Sequence, residues 1–350
     1  MLQEGPAREP PAASAPACGR TRAGRPGAPP IIGRMHLLIS FASARSDAAT
    51  QVLHDLALPN LSQLLAQLTP GARDAADADT LNPPHERAHA AALGWHAADG
   101  GLPFAAHAAA ADGIDTGDAA WGLVTPAHWH VGRDHVVLTD PAALRLTETE
   151  SRTAFEAVRE LFESEGLRMH WGAALRWYAA GAALAELPCA SLDRVIGRNV
   201  EAWMRAPQTP AAPGRLIRRL QSEVQLLLYP HALNDAREAR GEPTLNSFWL
   251  SGCGRAQAVA FGALGAPQLD DTLRAPLLAE DWVAWAEAWR ELDAGPIAAW
   301  SAAARGGEPV ALTLCGERAA QRFEAAPQTA WRRITRRFNA TPVADVLGAL

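Results

Sequence analysis

Short apolar runs alternate with amphipathic helical patterns from residue 35 onward, and this alternation constrains the fold more than any other feature of the sequence. Residues 36–39 are typical of a buried strand, and leucines at positions 61, 64, 65 and 68 then form a helical stripe. Further strands are predicted at residues 167–171, 175–178, 246–250 and 309–314, and further helices at 216–227 and 280–292. Alternating strands and helices predict an α/β fold with a mostly parallel sheet flanked by helices.

Three shorter stretches carry local signals. Thr147 and Glu150 have the spacing of a capping box, which predicts that a helix begins there. Residues 119–140 are typical of two strands joined around Gly132. Residues 70–84 are polar and bounded by prolines, so a loop is predicted.

The first 34 residues differ in composition from the rest of the chain. They are rich in Pro, Ala, Gly and Arg and have few large apolar side chains before Ile31 and Ile32. Such a segment buries too little surface to offset the entropy lost on ordering. We therefore predict that residues 1–34 are a disordered leader and that the folded part begins near Met35.

The composition excludes several classes of function. All 32 basic residues are arginine, so Schiff-base, P-loop and kinase-type lysines are absent. The formal net charge of −6 argues against a nucleic-acid partner. A membrane partner is not expected either, because apolar runs are shorter than the roughly 20 residues that a spanning helix needs. Four scattered cysteines without a CxxC pair predict reduced thiols and a cytoplasmic protein.

One candidate binding segment is residues 246–254, a predicted strand that runs into Ser251, Gly252 and Gly254. In parallel α/β folds, ligands bind where strand carboxyl ends meet such glycine turns. The alternative interpretation is a tight turn that only requires glycine at positive φ.

Polar residues crowd the stretch just before this segment. Arg237 and Arg240, together with Asn234 and Asn246, have the donors to hold an anionic group. The alternative is a solvated helix end. The spacing of His85 and His89 would suit a metal on one helical face, but no third ligand accompanies them, so no metal site is predicted.

Residues 229–254 also carry a resemblance to known proteins. This stretch is similar to a block of the archaeal-type cofactor-independent phosphoglycerate mutases of the alkaline phosphatase superfamily. The matching residues are His231, Asn234, Arg237, Gly241-Glu-Pro-Thr-Leu-Asn246 and Trp249-Leu-Ser-Gly-Cys-Gly254. Weaker matches are residues 58–61, 88–94 and 116–121. The chain resembles still more closely the RpfE-type regulatory protein family.

The resemblance implies a particular domain organisation. It implies an alkaline-phosphatase-like core formed by residues 35–95 and 183–350. A smaller α/β domain, residues 96–182, would be inserted into this core.

Departures from the mutase pattern concern the catalytic groups. These enzymes use two divalent metal ions, Mn or Zn, and a serine nucleophile. In place of the first metal-binding Asp, this chain has Ser40-Phe41-Ala42-Ser43, and His85 stands at the nucleophile position. After the strand at 309–314, the chain lacks the later Asp-His ligands.

We therefore expect a phosphoglycerate-mutase-like protein with a degenerate metal and nucleophile centre, acting as a regulatory or binding module without cofactors. The alternative is an active mutase or phosphatase with substituted groups, with His85 as nucleophile and two divalent metal ions. Expected partners are a small phosphorylated metabolite or a protein. The expected ligand-binding residues are Asn234, Arg237, Arg240, Asn246, Ser251, Gly252 and Gly254.

Overall fold

Strands and helices alternate along residues 35–204, 211–325 and 342–350, which are the residues that the computed structural model describes. The strands are β1 (Met35–Ile39), β2 (Thr69–Ala75), β3 (Ala120–Ala127), β4 (Trp129–Val131), β5 (Val136–Leu138), β6 (Arg168–Ala173), β7 (Arg176–Ala180), β8 (Ser247–Arg255), β9 (Gln268–Asp270), β10 (Val310–Cys315) and β11 (Ala319–Glu324). The predicted leader 1–34 and Cys18 lie outside the described residues.

The helices of the described ranges are mostly short. They are α1 (Asp47–Asp55), α2 (Pro59–Gln67), α3 (Pro84–Ala92), α4 (Phe104–Ala111), α5 (Glu148–Ser164), α6 (Leu192–Val195), α7 (Val200–Met204), α8 (Ala211–Leu228), α9 (Ala232–Ala239), α10 (Arg274–Leu278), α11 (Trp282–Leu292), α12 (Ala298–Arg305) and α13 (Val343–Gly348). Among the described residues, no helix has the length and apolar character needed to cross a bilayer.

The largest sheet contains five strands in the order β2-β11-β10-β1-β9. Strand β1 lies between β10 and β9 and is buried: Leu37 and Ile39 pack against helices α1, α2, α11 and α12 on one face. Leu38 faces the opposite side, where it packs with Cys315 and Ala88 of α3. A strand covered on both faces reads as a continuous apolar run, which explains why the sequence pattern identified β1.

The prediction of a mostly parallel sheet is wrong. Strand β1 runs parallel to β9 and β10, but β11 pairs antiparallel with both β10 and β2. The second sheet, β6-β7-β3-β8, is antiparallel throughout its described pairings, and so is the β4-β5 hairpin. Alternation along the chain misled the prediction because several strands are joined by tight hairpins, which can link only antiparallel neighbours.

The second sheet joins segments that the expected domain boundaries would separate. Its faces are covered by α5 and α8 on one side and by α4 on the other. Strand β8 belongs to the expected core segment 183–350, yet it pairs with β3 of the expected insertion 96–182. The pairing of β3 with β8 therefore links the two expected segments within one sheet, and the inserted domain 96–182 stays a prediction.

One local prediction is partly wrong, one is wrong and two are confirmed. Strand β2 covers residues 69–75, so the loop predicted over 70–84 is confirmed only for residues 76–83; Pro70 is tolerated because β2 is an edge strand. Strand β8 continues through the expected glycine turn to Arg255. The capping box of Thr147 and Glu150 is confirmed, with Glu150 N donating to Thr147 Oγ1 at 3.2 Å and Thr147 N donating to Glu150 Oε2 at 3.0 Å. The β4-β5 hairpin turns around Gly132 as expected.

Candidate functional site

A cleft of about 360 Å³ lies at the carboxyl ends of β1 and β10, the central parallel pair. Its walls come from the loop after β1, the start of α3, α6 with the residues that follow it, the α10–α11 junction and the turn after β10. Carboxyl ends of parallel strands are the usual ligand position in α/β sheets. The volume lies within the range of small-molecule pockets, which is about 300–1,000 Å³.

His85 lies in this cleft and is oriented by a carboxylate. Its Nε2 lies 3.1 Å from Oδ2 of Asp193, and Oδ1 of Asp193 accepts from Nε of Arg274 at 2.8 Å. Burial alone would raise the pKa of Asp193, but the hydrogen bond from His85 and the charge of Arg274 outweigh it and lower that pKa to about 2. His85, Asp193 and Arg274 thus form a chain of alternating charge when the imidazole is protonated.

Phe41 covers the other side of the His85 ring. The two ring centroids are 4.8 Å apart, and Phe41 has a φ of 57°, a left-handed conformation that bulky residues rarely adopt. The neighbouring Ala42 N–H donates to Cys315 O at 2.8 Å, and Trp285 Nε1 donates to Phe41 O at 3.3 Å. These bonds hold the unusual backbone in place, and strain of this kind clusters at functional sites.

The first turn of α3 is held from behind by a polar network. Glu86 Oε1 accepts from Ser191 Oγ at 2.6 Å, and its Oε2 accepts from Asn82 Nδ2 at 2.7 Å. Burial raises the pKa of Glu86 despite these bonds and the nearby His85. The network links the start of α3 to α6 through Ser191, so both walls of the cleft are positioned together.

Arg194 is the most unusual charge in the cleft wall. The residue is only 3% exposed, its Nη2 donates to Thr80 Oγ1 at 2.9 Å and its Nη1 donates to Glu317 O at 3.3 Å. Its Nε is buried without a hydrogen-bond partner, and within the described ranges no carboxylate lies at ion-pairing distance from it. Burial, together with the charges of Arg87 and Arg198, lowers the pKa of Arg194 to about 10.

Two divalent metal ions, which the mutase resemblance implies, do not fit this cleft. Phe41, not a carboxylate, follows β1, and its ring lies against His85. Of the three carboxylates that line the cleft, Asp193 is held by Arg274, Glu317 accepts from Arg45 N at 3.1 Å, and Glu280 is the third. Across the described part of the chain, no group of three or more His, Cys, Asp and Glu side chains is placed to hold a metal ion.

The structure places the other expected site residues elsewhere. Asn234 is buried, donates through Nδ2 to Leu228 O and Leu245 O at 2.8 Å each, and accepts from Leu245 N at 2.9 Å. Asn246 accepts from Trp129 N at 2.7 Å and donates to Trp129 O at 3.0 Å. Both amides therefore hold backbone segments together instead of facing the cleft.

Arg237 and Arg240 do converge on one group, but that group is the protein's own Glu150. Arg237 is fully buried, with Nη1 3.1 Å from Glu150 Oε1 and Nε donating to Pro243 O at 2.8 Å. Arg240 donates through Nη2 to Glu150 Oε1 at 2.6 Å and to Glu242 Oε2 at 2.7 Å. The two arginines connect α9 to the capping box of α5.

The glycines of β8 allow close packing against α4. Gly252 has a φ of 63°, and a Cβ there would lie 2.9 Å from Ala105 N. Gly254 has a φ of 147°, and its Cβ would lie 3.1 Å from Pro103 Cβ. Ser251, which precedes both glycines in β8, is buried and lies opposite Leu123 of β3. These contacts favour the alternative interpretation, in which glycine is needed by the backbone.

Sequence reasoning found His85 and missed Asp193, Arg194 and Arg274. All three lie far from His85 along the chain, and Asp193 reaches it across 108 residues. The only local signal was Ser191, which caps α6 by accepting from Asp193 N at 3.3 Å. A capping serine marks a helix start but not the partner that the helix will meet.

Comparisons with known proteins give remote structural neighbours. The sequence matches no protein-family profile and no curated protein. A solved structure of the cofactor-independent phosphoglycerate mutase from Thermoplasma acidophilum DSM 1728 is 14% identical with a TM-score of 0.35, covering 90% of this chain and 98% of that chain. The PH0037 protein from Pyrococcus horikoshii is 13% identical with a TM-score of 0.41, covering 86% of this chain and 89% of its own.

Proposed function

We propose that this protein is a binding module that takes a small anion, of the class of phosphorylated metabolites, in the cleft beside His85. The observation that carries the proposal is Arg194, a buried guanidinium without a carboxylate partner among the described residues. A buried charge is unfavourable unless it is paired. An anion in the cleft would supply the missing partner.

Other groups around the cleft favour an anion with several oxygens. Arg198 is exposed at the rim, where its only ion pair within the described residues is a long one, 3.8 Å to Glu317. Residues Pro83, Pro84 and His85 bring the first turn of α3 to the cleft, and helix N-termini favour negative charge. Arginine forks and phosphate oxygens match in geometry.

The module would carry a degenerate mutase-like centre, as the departures from the mutase pattern imply, and the resemblance to the RpfE-type regulatory family favours a regulatory role. Support comes from the end of β1, where the resemblance places a metal-binding carboxylate and this chain has the strained Phe41. An aromatic ring at that position contributes an apolar contact to His85 and no metal ligand.

Calorimetric titration with inorganic phosphate and with 3-phosphoglycerate tests the proposal. Wild type should bind at millimolar ligand or better, and Arg198→Ala should weaken binding about tenfold, because a charge-assisted hydrogen bond contributes about 1.5–3 kcal/mol. Arg194→Gln should weaken binding at least as much while retaining hydrogen-bonding groups for Thr80.

Two control variants separate this cleft from other arginines. Arg290→Ala changes an exposed arginine of α11, and Arg240→Ala tests the originally expected site beside β8. Both should bind like wild type. No binding by wild type, or equal losses in Arg198→Ala and Arg240→Ala, would refute the cleft as the anion site.

The second candidate function is phosphoryl transfer through His85. The observation in its favour is the His85–Asp193 pair, because a carboxylate that orients an imidazole is the arrangement of a histidine nucleophile or base. Incubation with a labelled phosphate donor, followed by detection of acid-labile, base-stable label, tests it. Label that is lost in His85→Ala and kept in Arg290→Ala would favour the enzyme.

A further inference from the structure

Two cysteines that are 64 residues apart in the sequence lie in direct contact. The Sγ atoms of Cys189 and Cys253 are 3.5 Å apart, and both thiols are free. A disulfide bond is about 2.05 Å long, so an approach of roughly 1.5 Å would join them. We propose that Cys189 and Cys253 are a redox modification site that forms a reversible disulfide on exposure to a hydroperoxide.

Cys253 is the fixed member of the pair. It lies in β8, is 1% exposed and packs against β3, where a Cβ on Gly122 would come within 3.1 Å of its Sγ. The β-bulge between β3 and β8 includes this position, since the register shifts between Trp121 and Leu123. A strand held by pairing and packing on this scale cannot move far.

Cys189 is the member that can approach. It lies in the irregular segment between the short 3-10 helix Ala182–Leu184 and α6, and its N–H donates to Gly100 O at 3.0 Å. Irregular segments open at lower free energy than paired strands do. A shift of about 1.5 Å in this segment closes the distance without disturbing the β3-β8 ladder.

The difference in exposure between Cys189 and Cys253 decides which thiol reacts with the oxidant first. Cys189 is partly exposed and lines a cavity with Leu187, Ile217 and Trp249, whereas Cys253 is covered. The contact with Cys189, and then burial, raise the pKa of the Cys253 thiol. Thiolates are the reactive form, so Cys189 reacts first and Cys253 resolves the product.

The reaction balances with hydrogen peroxide as the oxidant. The Cys189 thiolate attacks one peroxide oxygen, the O–O bond breaks, and Cys189 sulfenic acid and hydroxide form; the hydroxide takes up the thiol proton as water. Cys253 sulfur then attacks the Cys189 sulfur, the S–O bond breaks, and a second water leaves with the Cys253 proton. Two thiols are oxidised to one disulfide and one peroxide is reduced to two waters.

A pair of this kind fits a chain with otherwise reduced thiols. Intracellular disulfides in mesophiles are usually transient and serve catalysis or redox sensing. Cys315 offers an internal comparison, since it is buried in β10, and burial raises the pKa of its thiol. We expect Cys315 to stay reduced under conditions that oxidise Cys189.

The experiment treats reduced, folded, full-length protein with equimolar hydrogen peroxide, alkylates it after unfolding and maps peptides by mass spectrometry. The alkylated thiols should fall from the four of the sequence to two, with a linked Cys189–Cys253 peptide, and dithiothreitol should restore all four. Cys18→Ser is the matched control and should form the same link, whereas Cys189→Ser should not.

A second variant tests the order of steps. Cys253→Ala keeps an apolar side chain in the core, and it should trap at least five-fold more Cys189 sulfenic acid with dimedone than wild type does. If that variant fails to fold, the wild-type and Cys189→Ser maps decide alone. A linked peptide that contains Cys18 or Cys315 instead, or Cys189 sulfinic acid with Cys253 still fully alkylated, would overturn the proposal.

Discussion

Nε2 of His85 lies 3.1 Å from Oδ2 of Asp193, so an imidazole in the first turn of α3 is tied to a carboxylate of α6. Arg274 holds the same carboxylate from α10, with Nη2 2.6 Å from Oδ1. Asp193 therefore joins three separate segments at the cleft, and its ionisation should change the free energy of unfolding of the protein.

Acid stability should depend on Asp193. Its pKa falls from the ordinary 3.8 to about 2 on folding, so the unfolded state binds the proton more tightly. The ionised carboxylate therefore contributes stability above pH 4, roughly 2 kcal/mol, and loses it as the pH falls toward 2. Urea denaturation from pH 2 to 6 should show this dependence in wild type and a flatter one in Asp193→Asn.

The matched control is Asp134→Asn, which changes an exposed carboxylate in the β4-β5 turn. It should follow the wild-type curve. Identical pH dependence in wild type and Asp193→Asn would mean that the carboxylate gains nothing from His85 and Arg274.

Helix α2 should depend on a carboxylate that is distant in sequence. Asp293 is buried, accepts from Leu61 N at 2.7 Å and accepts from Asn60 N at 3.1 Å. It thereby caps a helix that begins at Pro59 and has no side-chain cap of its own. Asp293→Ala should lower the free energy of unfolding by about 2 kcal/mol, because caps and charged hydrogen bonds contribute on this scale.

Asp281→Ala gives a useful comparison, since Asp281 caps α11 from the adjacent position, accepting from Ala284 N at 3.0 Å. It should cost about 1 kcal/mol, typical of an exposed local cap. Equal losses in both variants would indicate that the Asp293 contacts add nothing to ordinary capping.

We expect Arg237 to stabilise the fold rather than to bind a ligand. It is fully buried and joins Glu150, Pro243 and Leu144, so its removal takes a buried cation away from the Glu150 carboxylate and leaves two backbone carbonyls without their arginine donor. Arg237→Met should destabilise the protein by about 3–5 kcal/mol. Arg240→Ala, at an exposed position on the same carboxylate, should have a much smaller effect in the same urea titration.

Phosphate titration of Arg237→Met tests whether Arg237 also binds a ligand. Arg237→Met, measured where it remains folded, should bind phosphate like wild type. A stable Arg237→Met protein that has lost phosphate binding would restore Arg237 as a ligand-binding residue.

Backbone strain at Phe41 can be isolated with two substitutions. Both Phe41→Ala and Phe41→Gly remove the ring from His85, and they differ only in their cost at a φ of 57°. Glycine adopts that conformation freely, so Phe41→Gly should be more stable than Phe41→Ala by about 1 kcal/mol. At residues without positive φ, a glycine variant is usually less stable than the alanine variant. A lower melting temperature for Phe41→Gly than for Phe41→Ala would therefore contradict backbone strain at Phe41.

Local signals account for what could be predicted from the sequence, and distant pairing accounts for what could not. The helix cap at Thr147 and the apolar run of β1 each lie within a few residues, and both are confirmed. The partner of β8 depends on register across more than a hundred residues, and so does the contact between His85 and Asp193. The arginines of α9 were correctly placed near one another, but their carboxylate comes from α5.

Metal-dependent mutase activity should be absent. Phe41 follows the end of β1, and His85 stands at the position where the resemblance expects serine. The cleft therefore lacks the residues for metal-assisted charge neutralisation and for a serine phosphoenzyme. Conversion of 3-phosphoglycerate to 2-phosphoglycerate with added manganese, cobalt or zinc should therefore equal that of a His85→Ala control. Arg290→Ala checks that any background rate does not depend on the preparation. Turnover at least tenfold above the His85→Ala rate, with or without metal, would reject the binding-module proposal and establish the enzyme in its place.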